Sequence, residues 1–264
     1  MESGGGLCPL LLRLPARFGI IQQYGIRMMH HSLREGVMSA TAKRRETIHA
    51  LLDNHGQTYA AQAGIRLRDT PQPLYQLLVL ASLLSARIRA SVAVGAAREL
   101  FGANMRTPRR MQEATWQQRV DALGAGHYRR YDESTSTTLG KSAAFLRERY
   151  GGDLRRLRKE AHNDPGRMRE RLQELPGIGP AGAAIFLREV QGIWTELEPC
   201  LDGKAVQGAQ RLGLPTKSHE LAKLVPAEQL TVFAAALVRA ALDKSVVEDV
   251  RERTDTAAHQ PHSD

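Results

Sequence analysis

From residue 71 onward, apolar positions recur at helical spacing, and no run of alternating Val, Ile and Thr bounded by turn residues marks a strand. Residues 74–86, Leu-Tyr-Gln-Leu-Leu-Val-Leu-Ala-Ser-Leu-Leu-Ser-Ala, are apolar almost all round and are entered through Pro71 and Pro73. A helix without a polar face has to be buried, so this stretch predicts a central helix. Val92, Val94, Ala96, Ala97, Leu100 and Phe101 predict a second helix over 91–101. Thr107-Pro108 supplies an N-cap and a proline at the first helical position. Leu139, Ala143, Leu146 and Tyr150 give one face of a long helix over 134–150, closed by Gly151-Gly152. Two short charged helices are expected over 153–161 and 164–174, the second capped by Asp164 with Pro165 in its first turn. Ser218 is expected to cap a short helix, and Pro226 to open the last one, 227–242. After Val250 the chain is polar without an apolar period, which predicts a disordered tail over 250–264. The predicted class is all-α.

Between the charged helix ending at Glu174 and an Ala-rich helix running to Val190 lies Leu175-Pro176-Gly177-Ile178-Gly179-Pro180. Two glycines one residue apart make a tight turn whose backbone N–H groups sit at a helix N-terminus. Such a turn binds an anion through those donors and the positive end of the helix dipole. Gly177, Ile178, Gly179, Ala181 and Gly182 are therefore candidate contacts to a nucleic-acid backbone. An ordinary helix–helix turn with a glycine C-cap is the competing interpretation. The next signal is Pro199-Cys200-Leu201-Asp202-Gly203, where an aspartate precedes another helical stretch over 204–212.

Charge sharpens the first interpretation. The 264 residues carry a formal net charge of +9, and residues 39–243 carry all of it, because the surplus of residues 1–38 cancels the deficit of residues 244–264. A basic body favours a polyanionic partner. The two cysteines, Cys8 and Cys200, exclude a disulfide framework and a four-cysteine metal or iron–sulfur site, and fit a reducing compartment. No apolar run approaches the roughly 20 residues that span a bilayer, so no membrane partner is expected. Residues 1–40 form an Arg-rich, acid-poor leader, read either as sequence upstream of a true start at Met28, Met29 or Met38 or as a weak organelle-targeting segment.

Four segments in order resemble the helix-hairpin-helix DNA glycosylase superfamily, on its endonuclease III branch, over residues 71–243. They are Leu83-Leu84-Ser85-Ala86-Arg87, the hairpin Leu175 to Gly179, Leu201-Asp202, and Val225-Pro226-Ala227-Glu228. The resemblance implies a two-lobed helical fold with a DNA-binding cleft between the lobes. One lobe would span 71–190, and the other would combine 47–63 with 195–245. It also implies a monomer acting in the cytoplasm at the nucleoid on double-stranded DNA that carries a damaged or mispaired base. Two departures limit the implied chemistry. Bifunctional members carry a lysine two residues after the second hairpin glycine, where this chain has Ala181. The C-terminal iron–sulfur cysteines of many members are absent, so no cofactor is expected. A monovalent cation at the backbone carbonyls of Gln173, Leu175 and Ile178 is a further implication.

Breaking an N-glycosidic bond builds positive charge on the sugar, which a carboxylate at C1′ stabilises while it orients water. Asp202 is the candidate catalytic residue of a monofunctional glycosylase, although an Asp before Gly203-Lys204-Ala205 is equally a helix N-cap. Lys204 and Lys141 are the candidate substitutes for the missing nucleophile, and both are otherwise solvated or bound to phosphate. Arg87 is the candidate wedge into the vacated base stack, or a phosphate contact. Gly126-His127-Tyr128-Arg129-Arg130-Tyr131-Asp132 interleaves two aromatics with basic residues and suggests base stacking by Tyr128 with phosphate pairing by Arg129 and Arg130, or a loop pinned by one buried tyrosine. Trp116 and Trp194 are expected to pack rather than stack on bases, and the run Arg155 to Arg158 to be a solvated face. The alternatives to a monofunctional enzyme are a glycosylase with lyase activity through a substitute lysine, a non-catalytic DNA-damage or DNA-structure binder, and an interaction scaffold.

Overall fold

The computed structural model describes residues 40–259, and every regular element among them is helical. Of the leader over 1–40, residues 1–39 lie outside the described residues, as do residues 260–264, and residue 40 begins α1. Helix α1 covers residues 40–55. It is followed by α2 (Tyr59–Gln62), α3 (Pro71–Leu84), α4 (Ala90–Gly102), α5 (Pro108–Glu113), α6 (Trp116–Ala125) and α7 (Asp132–Tyr150). Then come α8 (Leu154–Glu160), α9 (Pro165–Gln173), α10 (Pro180–Val190), a 3-10 turn (Thr195–Leu197), α11 (Gly203–Arg211) and α12 (Ser218–Ala222). A second 3-10 turn (Ala227–Gln229) leads into α13 (Leu230–Leu242) and α14 (Lys244–His259). No helix among the described residues is long and apolar enough to cross a membrane.

Local signals set most boundaries. Thr107 accepts from the Arg110 N–H at 3.2 Å with Pro108 at N1, and Asp164 accepts from the Arg167 N–H at 2.7 Å with Pro165 at N1. Gly151, at φ 62°, ends α7 in the left-handed conformation that a side chain disfavours. Helix α3 is the buried centre: Leu74, Leu77, Leu80, Ala81 and Leu83 are wholly inaccessible, and α3 packs on both α4 and α10.

Two expectations fail. Ser218 is not a cap but the first residue of α12, whose N-cap position is Lys217 without a capping side-chain bond, and its hydroxyl donates to the Leu201 carbonyl at 3.4 Å. Residues 251–259 are not a tail but the end of α14, which continues to His259; the rest of the expected tail, 260–264, lies outside the described residues. Val246, Val247, Val250 and Thr254 are buried on one helical face, a stripe that becomes invisible if the pattern is cut at Val250.

Residues from Glu46 onward make one compact unit. Within it, the early helices meet the C-terminal ones. His55 Nε2 lies 2.9 Å from Asp249 Oδ2, and Arg239 donates to the Gln57 carbonyl while lying 4.3 Å above the Tyr59 ring. The closest helix pair is α11 on α13. A Cβ on Gly208 would lie 1.8 Å from the Leu237 carbonyl oxygen, so only glycine permits that approach.

Candidate active-site groove

The hairpin is built as its sequence suggests, with one difference of purpose. Leu175 accepts from the Ile178 N–H at 3.0 Å, Pro176 sits at the second position, and Gly177 has φ 81°, which makes a type II turn. The missing Cβ at Gly177 does not clear a path for phosphate. It makes room for α7, since a Cβ there would come within 2.3 Å of Thr138 Cγ2. Gly179 is the open position, with nothing within 4 Å of an added Cβ. It is the N-cap of α10 and no side chain caps that helix, so the N–H groups of Gly179, Ala181 and Gly182 have no helical acceptor. Ile178 is a correction: its side chain is buried and its N–H closes the turn, so it offers a phosphate nothing. Gly182 is also buried, against Ile178 and the Ala81 carbonyl, and contributes only its backbone donor. The Leu175 carbonyl, although engaged in the turn, keeps a second lone pair that a monovalent cation could share with Gln173 and Ile178.

Asp202 is the N-cap of α11. Its Oδ1 accepts from the N–H groups of Lys204 and Ala205, both at 3.0 Å. Its Oδ2 is ion-paired with Arg188 Nη1, and the side chains of the pair are 3% (Arg188) and 16% (Asp202) exposed. The carboxylate therefore caps α11 and pairs with Arg188 at the same time. The loop carrying Asp202 is pinned from below by the buried Gln191 amide, whose Oε1 accepts from the Cys200 N–H at 2.9 Å while its Nε2 donates to the Cys200 carbonyl at 3.2 Å. The neighbouring Cys200 thiol is pushed up to about 11 by burial and by Asp202, so it is a packing residue rather than a nucleophile.

One groove of about 1460 Å³ gathers Arg87, Ala181, Arg188, Asp202, Lys204 and Arg239. Its lining comes from the turn after α3, the starts of α4, α11 and α14, one face of α10, and the ends of α2 and α13. Five basic side chains line it, these four and Arg89, against the carboxylates of Asp202 and Asp243. Arg87 and Lys204 are exposed, and Lys204 Nζ donates to Gln207 Oε1 at 3.0 Å. Lys141 is exposed on α7 and does not line the groove.

The aromatic-basic loop lies elsewhere. Tyr128 is 1% exposed, with its hydroxyl 3.4 Å from Thr135 Oγ1, so the stacking role is withdrawn and the buried-tyrosine alternative holds. Arg129 and Arg130 are exposed outside the groove, Arg130 lying 5.2 Å over the Tyr131 ring. Trp194 is fully buried, donating to Asp69 Oδ1 at 3.0 Å, and Trp116 is 40% exposed with its Nε1 donating to Thr137 at 3.1 Å. Arg158 is not on a solvated face: it stacks over Trp194 at 5.2 Å and pairs with Glu196 and Asp69.

Four residues escaped the sequence reading: Tyr59, Arg188 and Arg239, which line the groove, and the buried Glu189 next to Arg188 in the chain. Glu189 Oε2 accepts from the Ala60 N–H at 2.9 Å. Glu189 Oε1, Arg188 Nε and Arg239 Nη1 are buried without a partner. Burial raises the Glu189 carboxyl above its ordinary range, with Arg188 opposing. The available signal was charge inside apolar helices, in Leu187-Arg188-Glu189-Val190 and Val238-Arg239-Ala240. Among the described residues no cluster of His, Cys, Asp and Glu has the makings of a metal site.

No protein-family model matches the chain, and no curated protein sequence does. It aligns with a trapped endonuclease III–DNA covalent intermediate in an estranged-adenine complex at 20% identity, covering 66% of this chain and 74% of that one, with a TM-score of 0.41. It also aligns with a non-covalent endonuclease III–DNA complex at 19% identity, with the same 66% and 74% coverage and a TM-score of 0.43. Both of those structures hold DNA. At this degree of likeness, function has to be read from the chain's own side chains.

Proposed function

We propose that this chain is a DNA glycosylase of base-excision repair in the helix-hairpin-helix superfamily, working on double-stranded DNA that carries a damaged or mispaired base and leaving the strand intact. The observation that carries this reading is the meeting of Asp202, Ala181, Arg87 and Lys204 on one basic groove. The N–H groups of Gly179, Ala181 and Gly182 take a backbone phosphate, supported by the α10 dipole. Arg87 enters or flanks the gap left when the base flips out, and Lys204 pairs with phosphate. A monovalent cation on the carbonyls of Gln173, Leu175 and Ile178 would help tie the turn to that phosphate. As the base departs, positive charge grows on the sugar, and the Asp202 carboxylate stabilises it and orients the water. Two backbone N–H groups and Arg188 hold that carboxylate in one orientation, so it needs little reorganisation when the charge develops. With alanine at 181 the reaction is hydrolysis, without a Schiff base.

One observation favours a second reading. Both oxygens of Asp202 are already engaged, which suits a protein that binds damaged or branched DNA and releases nothing. Duplexes with single lesions, incubated and then treated with hot alkali, separate the two. The glycosylase yields alkali-labile sites on at least one lesion, and the binder yields tight, salt-sensitive complexes with none. Borohydride trapping on abasic DNA tests the bifunctional variant through Lys204: a covalent adduct would overturn the monofunctional assignment.

A further inference from the structure

A second cavity, of about 400 Å³, lies at the opposite end of α4 from the groove, which takes Ala90 while this one takes Gly102. Arg66, Arg98 and Arg106 line it, and none of its lining residues is acidic. None of the three pairs with a carboxylate, in contrast to Arg109 on Glu113, Arg149 on Glu160 and Arg171 on Glu174. Two of the three guanidiniums are fixed in place. Arg98 Nε donates to the Gln62 carbonyl at 2.7 Å and Arg106 Nε to the Phe101 carbonyl at 2.7 Å, each at the C-terminal end of a helix. The Nη groups of Arg106, one Nη of Arg98 and all of Arg66 make no bond within the described residues. Arg66, Arg98 and Arg106 are exposed and line one cavity that has no carboxylate, so an anion entering it meets three cations and no counter-charge.

The cavity also reaches a second kind of group. Gln76 lines it from α3, is 9% exposed, and its amide has no hydrogen-bond partner among the described residues. A primary amide wants a donor and an acceptor side by side, as the edge of a nucleobase offers. Pro73 and Phe101 supply apolar wall beside it, and the volume falls in the range of small-molecule pockets, about 300–1,000 Å³.

We propose that this cavity binds a nucleoside phosphate, with the phosphate on Arg66, Arg98 and Arg106 and the base edge on Gln76. The nucleotide comes free or as the end of a strand, and it is bound independently of the groove. Calorimetric titration at low salt with dAMP, deoxyadenosine, inorganic phosphate and a 5′-phosphorylated tetranucleotide tests this on the full chain. Saturable binding of dAMP is expected, with deoxyadenosine about tenfold weaker or worse. The double variant Arg66→Gln/Arg106→Gln should weaken both dAMP and phosphate by about tenfold or more. Gln76→Leu should weaken dAMP about fivefold while phosphate is unchanged. Its melting temperature should equal or exceed that of wild type, because an unpartnered amide has been removed, and should it fail to fold, the arginine variant carries the test alone. Lys141 is exposed on α7 and lines neither cavity, so Lys141→Gln should alter the binding of neither ligand. Tighter binding of the tetranucleotide assigns the site to a strand end, and equal or weaker binding to a free nucleotide. The proposal is overturned if neither dAMP nor the tetranucleotide binds saturably, or if binding ignores the arginine variant. Wild-type dAMP affinity in a folded Gln76→Leu protein would remove the nucleoside from the assignment.

Discussion

Asp202→Asn changes one oxygen to an amide nitrogen at constant volume, and its effects on stability and on chemistry separate cleanly. Asparagine caps helices about as well as aspartate, so the N–H groups of Lys204 and Ala205 keep an acceptor. Arg188 is the residue that suffers. Its side chain is 3% exposed, its Nε already has no partner, and the substitution removes the carboxylate from its Nη1. Breaking a buried pair from one side costs about 3–5 kcal/mol, and because the Asp202 end opens to the groove the lower value applies, about 3 kcal/mol. For a chain of this size that is a fall in melting temperature of roughly 6–12 °C. Arg188→Met removes the charge that would be stranded and leaves the carboxylate on two N–H groups facing water, so it should cost less, about 1–2 kcal/mol. The double variant should cost little more than Arg188→Met alone, about 1–2 kcal/mol, giving a coupling of about 3 kcal/mol in a cycle measured by urea unfolding. Base release, assayed below the melting point of the weakest variant, should survive in Arg188→Met and vanish in both Asp202→Asn proteins. An Asp202→Asn protein as stable as wild type, or a coupling below about 0.5 kcal/mol, would refute the buried pair.

Four other outcomes follow from the same geometry. The folded carboxyl of Glu189 lies above its unfolded value of about 4.3, so its contribution to stability is complete below that value and is lost as pH rises through the folded one. Glu189→Gln should flatten that decline, and a stability difference from wild type that stays constant between acid and neutral pH would contradict it. Gly208→Ala drives a Cβ into the Leu237 carbonyl and should cost about 3 kcal/mol or more, whereas a change in melting temperature under about 2 °C would contradict the close approach of α11 and α13. Ala181→Lys places an amine on the groove beside Asp202 and should give a borohydride-trapped adduct with abasic DNA that wild type does not give; no adduct would mean that position 181 does not face the sugar. Arg87→Gln should reduce the slope of log affinity for duplex DNA against log salt by about one, and an unchanged slope would exclude a phosphate contact.

The parts of this fold that the sequence discloses are those decided within a few residues. The apolar circumference of α3, the Thr-Pro and Asp-Pro starts of α5 and α9, and the turn at Gly177 all depend on local sterics and hydrogen bonds. What stayed hidden depends on partners distant in the chain. Gly177 is required by Thr138 as much as by its own φ, and Tyr128 is interior because α7 folds over it through Thr135. Arg188 reads as a helix-end cation until the loop after Trp194 brings Asp202 to it, and nothing local says that Gln191 will clasp that loop. The position of Asp202 was legible from its place before α11, but its pairing was not.

The central claim is that Asp202 faces the sugar of a nucleotide held in the groove, and charge discrimination at that sugar tests it most directly. Duplexes carrying a cationic pyrrolidine in place of one nucleotide would be compared with duplexes carrying the neutral tetrahydrofuran. A carboxylate at about 4 Å, partly offset by Arg188, should favour the cation by about tenfold, roughly 1.4 kcal/mol, and Asp202→Asn should erase the preference while leaving tetrahydrofuran affinity unchanged. Equal affinity for the two duplexes in wild type, or a preference that survives in Asp202→Asn, would contradict the account.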